Sequence, residues 1–156
     1  MVSARSKRQA NLQVQPMTRD HYDYVVRNMR QWDEMEVMLQ GYTKTQLMEM
    51  FDNLHGVSAT HQDIPVLCAG YQTFPKVYWY WFFATPMVRD FFIDITRHAQ
   101  EMIEENEQRD PDARHVVQVW NKHQDSVKWL NILNFKPFSS FNVGNEQILL
   151  VERKRT

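Results

Sequence analysis

Val77-Tyr78-Trp79-Tyr80-Trp81-Phe82-Phe83-Ala84 is the longest apolar block in the chain, and Thr85-Pro86 follows it directly. Eight apolar residues are a strand's length, far short of the roughly 18 a membrane span needs. In an extended chain Tyr78, Tyr80 and Phe82 point one way and Val77, Trp79, Trp81 and Phe83 the other. Both faces are apolar, so Val77–Phe83 is a central strand covered on both sides. Proline is well placed in a helix's first turn, where its missing N–H costs nothing. Thr85-Pro86 therefore opens a long helix whose buried stripe is Phe91, Phe92, Ile95, Ala99, Met102 and Ile103. It ends in Glu101, Glu104, Glu105 and Glu107, then Asp110-Pro111-Asp112. Acidic residues at a helix C-terminus oppose the macrodipole, so this end reads as a wet surface or a docking face for a basic partner.

Working outward, His115–Trp120 is the next strand and Asn121–Gln124 a loop. Asp125 or Ser126 starts a short helix carrying Val127, Leu130 and Leu133. Phe135–Phe141 and Gln147–Arg153 form two strands around the turn Asn142-Val143-Gly144-Asn145. Toward the N-terminus, Leu12–Gln15 is extended, and Asp20–Trp32 reads as one helix carrying Tyr22, Val25, Val26, Met29 and Trp32 on one face. Asp33–Gln40 either prolongs that helix or begins a loop. Thr43 and Gln46 fit a capping box for a second helix, with Leu47, Met50, Phe51 and Leu54 as its stripe and Gly56 as its end. Val57–Thr60 reads as extended and Val66–Gln72 as a strand. The expected fold class is α/β, a mixed sheet with helices on both faces.

The chain has 156 residues, 43% of them apolar, and 18 basic against 19 acidic side chains. That is one domain, large enough to bury a core without staples. One cysteine, Cys68, excludes an intrachain disulfide and a multi-cysteine metal site, and suits a reducing cytosol. Residues 1–11 read as a basic flexible tail, residues 12–153 as the single domain and residues 154–156 as a basic end. Setting aside Arg5, Lys7, Arg8, Arg153, Lys154 and Arg155 leaves 12 basic residues facing 19 acidic ones. Such a body makes nucleic acid an unlikely partner. The basic ends are either solvated or contacts for an anionic partner. No apolar stretch follows the first residues, so neither a secretory signal nor a membrane partner is expected.

The order of elements, together with the segment from Val119 through Trp120, Asn121, Lys122, His123 and the short helix to Asn134-Phe135, resembles the GNAT superfamily of N-acetyltransferases. Members typically carry a strand, an asparagine, then a short helix ending in Gly-Phe. Asn121 matches the asparagine, Val127–Leu133 the helix, and Asn134-Phe135 the Gly-Phe. Val14–Asp20 looks like the family's first strand and helix cap. The layout is most similar to small phage-encoded GNAT-like proteins, virion proteins among them. The resemblance covers roughly residues 12–153. It implies an acyl-CoA N-acyltransferase-like fold, host cytoplasm or virion as location, other phage or virion proteins as partners, and a homo-oligomer as an option.

In the family, acyl-CoA pyrophosphate rests on backbone N–H groups of a glycine-rich turn feeding the long helix. The matching stretch, Ala84–Phe91, has no glycine; Pro86 removes an amide and Asp90 adds a negative charge that Arg89 partly offsets. By family position, Phe83, Thr85, Arg89 and Asn121 would hold the cofactor, acetyl-CoA. The place where members often put a general-acid tyrosine is Leu130. Tyr80, with Tyr78, would stand in for it, or both are core tyrosines; His123 would be the base, or is an exposed loop histidine. Asn121 would tie the loop or cap the next helix. No metal site is expected. Trp79, Trp81 and Trp120 would fill the gap that in an enzyme admits the pantetheine arm.

Two readings follow. One is a catalytically degenerate GNAT-fold phage protein, without cofactor, acting in virion assembly or as a virion component through protein contacts. The alternative is a divergent acetyl-CoA-dependent N-acetyltransferase acting on a protein or small-molecule amine. A regulatory or host-interaction role is not separable by sequence from the first.

Overall fold

Seven strands form a single sheet in the order β1-β2-β3-β4-β5-β7-β6 in the computed structural model, which describes residues 12–155. The strands are β1 (Leu12–Pro16), β2 (His55–His61), β3 (Ile64–Phe74), β4 (Val77–Ala84), β5 (Arg114–Trp120), β6 (Phe135–Val143) and β7 (Glu146–Arg153). The helices are α1 (Arg19–Arg27), α2 (Gln31–Leu39), α3 (Lys44–Glu49), α4 (Phe92–Arg109) and α5 (Gln124–Ile132). Every neighbouring pair is antiparallel except β4 and β5, which run parallel across the middle of the sheet. The basic stretch at residues 1–11 lies outside the described residues.

The alternation in β4 sorts the core into two layers. Trp81 and Phe83 join Cys68 of β3 against Tyr22, Val25 and Val26 of α1 and Leu47 of α3. Tyr78 and Tyr80 face Ile103 of α4 and Leu130 of α5 on the other side. Helices cover both faces, as the two-sided apolar pattern of β4 requires. At about 25 cal/mol per Å² of apolar surface removed from water, these layers supply the main driving force for the fold.

Two helices differ from the sequence reading, each for a local reason. Asp20–Trp32 is not continuous: α1 stops at Arg27, where the Asn28 N–H turns back to the Tyr24 and Val25 carbonyls. Arg30 is extended (φ −54, ψ 147), and its N–H donates to the Ala84 carbonyl at 2.8 Å, so the helix ladder is broken by a bond to β4. The open stretch Asp33–Gln40 lies mostly in α2. After β4, Pro86–Phe91 is a 3₁₀ turn, and the α-helix begins only at Phe92. The change from three to 3.6 residues per turn shifts the buried face, leaving Phe91 buried and Phe92 47% exposed.

Gly56 does not end a helix. It lies in β2 directly opposite Gly70 of β3. A Cβ on Gly70 would meet the His55 carbonyl oxygen at 1.9 Å, and one on Gly56 would meet the Ala69 oxygen at 2.4 Å. The capping box forms as expected: Thr43 Oγ1 accepts from the Gln46 N–H at 3.1 Å, and Gln46 Oε1 from the Thr43 N–H at 2.9 Å.

The acidic end of α4 does not wait for a foreign base. Arg153 pairs with Glu107 at 3.4 Å and Glu104 at 3.8 Å, and Arg155 with Glu107 at 3.8 Å. Arg155 also donates to the carbonyls of Pro111 and Ala113. Two residues of the chain's own basic end thus cover part of its acidic patch.

Candidate functional site: the opening between β4 and β5

The parallel pairing of β4 and β5 runs from Val77 opposite Arg114 to Tyr80 opposite Val117 and goes no further. Beyond it, Trp81–Ala84 and Gln118–Trp120 diverge into a V. Backbone groups alternate sides along a strand. The Thr85 N–H donates to Val66 of β3, so the neighbouring Ala84 presents its N–H and C=O to the opening. The Asn121 N–H donates to Gln147 at the start of β7, so the neighbouring Trp120 N–H also faces the opening. A freed strand edge must find partners.

The partners come from α2 and from Arg30, the residue just before it. Asp33 Oδ2 accepts from the Ala84 N–H at 3.0 Å, while the Arg30 N–H donates to the Ala84 carbonyl. Together they make the two-point pairing a neighbouring strand would make. Glu36 Oε1 accepts from the Trp120 N–H at 3.1 Å. Asp33 is held in turn by the Arg30 guanidinium, with Nη2 at 2.8 Å and Nε at 3.2 Å, and by His123 Nε2 at 2.7 Å. Trp32 lies over Trp120 and His123, with ring centroids 5.5 and 6.3 Å away. Burial pushes the Glu36 carboxyl up to about 8; the Trp120 N–H opposes this, Asp33 adds to it and Arg30 opposes it.

His123, read from sequence as an exposed loop residue, is 1% exposed. Ser126 Oγ is 3.1 Å from the same Nε2 that faces Asp33, and Nδ1 has no partner among the described residues. A nucleophile relay needs serine and carboxylate on opposite imidazole nitrogens. This cluster is therefore a closed buried network and not a catalytic triad.

On the α4 side the opening is narrowed by Trp129 of α5. Its ring meets Phe82 at 5.1 Å, and its Nε1 donates to Thr96 Oγ1 of α4 at 2.9 Å. Beside them a cavity of about 670 Å³ remains, lined among others by Leu12, Val57, Ala69, Phe82, Ile95 and Met102. The expectation that Trp79, Trp81 and Trp120 fill the gap is corrected: Phe82 and Trp129 narrow it, α2 side chains bond its two edges, and the cavity beside them stays open.

Of the other residues singled out from sequence, Tyr80 and Arg89 line this cavity and the rest are dispersed. Tyr80 lies on the paired, closed part of β4, with its hydroxyl 2.8 Å from His115 Nδ1 and accepting from Asn106 Nδ2 at 3.1 Å. Burial raises the Tyr80 pKa and lowers that of His115, so both are held neutral. Tyr78 donates to Asp110 at 2.9 Å. Phe83 packs edge-on to Tyr22 at 6.3 Å, on the α1 side. Thr85 is buried and, among the described residues, its hydroxyl has no hydrogen-bond partner; Arg89 is exposed on the 3₁₀ turn. Asn121 ties its loop to β7, donating to Gln147 Oε1 at 3.1 Å. Sequence reasoning missed Arg30, Asp33, Glu36 and Ser126. The one local signal was the charged series Arg30, Asp33, Glu36 at three-residue spacing, the last two on one face of α2.

Two of the backbone features that an acyl-CoA would use in such an opening are engaged or altered here. An arm lying along β4 needs that strand's free amides and carbonyls, and those of Ala84 are engaged. A pyrophosphate needs converging N–H groups at the helix start. Pro86 has none, the Val88 N–H donates to the Thr85 carbonyl at 3.1 Å, and carboxylates follow at Asp90 on the 3₁₀ turn and Asp94 in the first turn of α4. Asp94, 6% exposed, is paired with Arg97 at 2.9 Å. Burial pushes the Cys68 thiol up to about 12, which leaves no thiolate nucleophile. Among the described residues no group of three or more His, Cys, Asp or Glu could hold a metal ion, and no helix is long and apolar enough to cross a membrane.

The architecture is that of the GNAT acyl-CoA N-acyltransferase fold. A GNAT-family acetyltransferase from Bacillus anthracis superposes with a TM-score of 0.68 at 11% identity, covering 91% of this chain and 93% of that one. An N-acetyltransferase from Staphylococcus aureus Mu50 gives 0.67 at 12% identity, covering 91% and 97%. AAC(6')-Ib, in complex with ribostamycin and coenzyme A, gives 0.66 at 10% identity, covering 93% and 94%. No family model matches the chain, and no curated protein matches it in sequence.

Proposed function

We propose that this chain is a GNAT-fold protein without acetyl transfer, acting through protein contacts as a component of virion assembly. The observation that carries the first part is the pairing of the β4 edge with α2: the Ala84 N–H and C=O are bound by Asp33 and Arg30. Displacing the Ala84 N–H would take one hydrogen bond from Asp33, 4% exposed and still held by Arg30 and His123, at about 1–3 kcal/mol. The assembly role rests on the layout shared with small phage-encoded GNAT-like proteins, through the aromatic strand, the long charged helix and the strand–asparagine–short-helix ending. Isothermal titration with acetyl-CoA tests the first part; micromolar binding would overturn it. Mass spectrometry of purified particles tests the second.

One observation favours the alternative, a divergent acetyl-CoA-dependent N-acetyltransferase. A cavity of about 670 Å³ adjoins the opening, within the range of small-molecule sites. Proteins of the same fold are described as acetyltransferases, one of them in a structure with its cofactor acetyl-CoA. On that reading Tyr80 would move the proton and Arg89 would face the cofactor, since both line the cavity, while Phe83, Thr85, Asn121 and His123 lie outside it. Release of free thiol from acetyl-CoA in the presence of an amine panel would establish it.

A further inference from the structure

α2 is an inverted amphipathic helix. It turns the carboxylates of Asp33 and Glu36 onto the sheet and leaves Trp32, Met35 and Met38 exposed. Buried polar groups and exposed large apolar ones are the informative exceptions in a folded chain. Of the nine residues of α2 only Asp33 and Val37 are buried, whereas α1, also of nine residues, buries Tyr22, Val25 and Val26. A helix on a sheet is normally held by an apolar stripe facing the core. In its place α2 has Val37 and the Trp32 ring, which rests on Trp120 and His123. The rest of its hold is polar: Asp33 on the Ala84 N–H and His123, and Glu36 on the Trp120 N–H.

α2 is also separate from the helices beside it. Residues 28–30 break it from α1 and residues 40–43 from α3. Among the described residues no side chain caps its first turn. Its last turn closes on itself: the Gly41 N–H donates to the Met38 carbonyl and the Tyr42 N–H to that of Val37, with Gly41 at φ +93. A helix of nine residues has little stability alone in water, so α2 released from the sheet would lose its own ladder too.

We infer that α2 is a displaceable strap, which detaches from the β4–β5 opening as one unit while the sheet stays folded and so uncovers the Ala84 and Trp120 edges. Its buried carboxylates make it responsive to pH. Burial holds the Glu36 carboxyl up to about 8, and in the detached strap Glu36 is an ordinary solvated carboxylate. Between about pH 4.5 and 8 detachment therefore releases a proton, and each pH unit favours the open state by up to about tenfold. Above about pH 8 the effect levels off. The charged groups around Glu36 are Asp33 and Arg30 beside it and His123, which contacts Asp33. Lys122 and Glu146 pair with each other at the Trp120 indole, and Lys44 of α3 is taken up by Glu34. The inference rests on the closure of the opening and not on the absence of acetyl transfer.

The test is native-state hydrogen exchange of the full chain at pH 5.5 and 7.5, each rate divided by that of an unstructured peptide at the same pH. The amides of residues 35–39 should exchange together with those of Ala84 and Trp120, at least about 100-fold faster than Val117 in the middle of the sheet. Thr85 and Asn121, whose N–H groups donate to Val66 and Gln147 on the far sides of the two strands, should stay slower than their neighbours. Raising the pH should speed the strap amides by up to about 100-fold in the parent protein and by less than about threefold in Glu36→Gln. Exchange of α2, Ala84 and Trp120 at the rate of Val117 would show one cooperative unit and overturn the strap. Exchange of α2 without Ala84 and Trp120 would show a fraying helix alone and overturn it likewise. Equal acceleration in the parent protein and Glu36→Gln would overturn the pH response. Acetyl-CoA takes no part in this assay, so its binding, measured separately, refutes the loss of acetyl transfer alone.

Discussion

Asp33 and Glu36 stand one turn apart on α2 and take the backbone N–H groups of Ala84 and Trp120 from opposite lips of the β4–β5 opening. The fold opens its sheet at this point, and one short helix turn closes it again with two carboxylates. The closure is polar and buried, so its strength depends on every partner being present.

Asp33→Ala removes the acceptor of three groups at once: the Ala84 N–H, the Arg30 guanidinium and His123. Urea unfolding should show a loss of about 3–5 kcal/mol, because the half-buried Arg30 guanidinium loses its carboxylate and the buried Ala84 N–H its acceptor. Asp33→Asn keeps an acceptor for Ala84 and should cost less. Equal stability of Asp33→Ala and the parent protein would show that the network is not satisfied as described.

Glu36 makes stability depend on pH in a defined direction. Its folded pKa is raised to about 8, above the ordinary carboxylate value, so between about pH 4.5 and 8 the folded state holds a proton the unfolded state has lost. The contribution of this group is therefore complete below about pH 4.5 and falls by up to about 1.4 kcal/mol per pH unit until about pH 8. Glu36→Gln keeps an acceptor for the Trp120 N–H and cannot ionise. Denaturation midpoints compared at pH 5 and pH 8 should converge at pH 5 and favour the glutamine variant at pH 8.

The Gly56–Gly70 pair predicts a steric effect. A methyl group at either position meets backbone oxygens, which cannot swing aside as a side chain would. Gly70→Ala should lower stability by more than the usual 1–3 kcal/mol of an overpacked site and by more than Gly56→Ala. Thermal melts of the two variants give the order.

Arg153 and Arg155 differ in burial, and their substitutions should differ accordingly. The Arg153 side chain is 12% exposed, pairs with Glu104 and Glu107 and donates to the Leu133 carbonyl at 3.1 Å. Arg153→Ala should cost about 1–3 kcal/mol. Arg155, 45% exposed at its side chain, belongs to the screened class of pairs, and Arg155→Ala should cost under about 1 kcal/mol and less still in high salt.

The sheet and its layers were legible because their signal is local. The two-faced apolar run Val77–Ala84 is central whatever surrounds it, and Thr43 with Gln46 caps a helix within four residues. The closure of the opening was not legible. The Asp33 side chain bonds an amide 51 positions away and Glu36 one 84 positions away, and no periodicity encodes a bond to a distant backbone group. His123 was misread for the same reason: a histidine in a polar loop looks solvated until Asp33 and Trp32 are brought over it. The helix break at Asn28–Arg30 follows from a bond to Ala84 that sequence does not display.

The central claim is that the Ala84 and Trp120 amides are bound inside the protein and unavailable to an acyl-CoA. Amide resonances of the ¹⁵N-labelled chain, followed while acetyl-CoA is added to about 1 mM, the limit at which binding is worth about 4 kcal/mol, address it directly. The account predicts that the Ala84 and Trp120 signals stay in place. A saturable shift of either signal would contradict it.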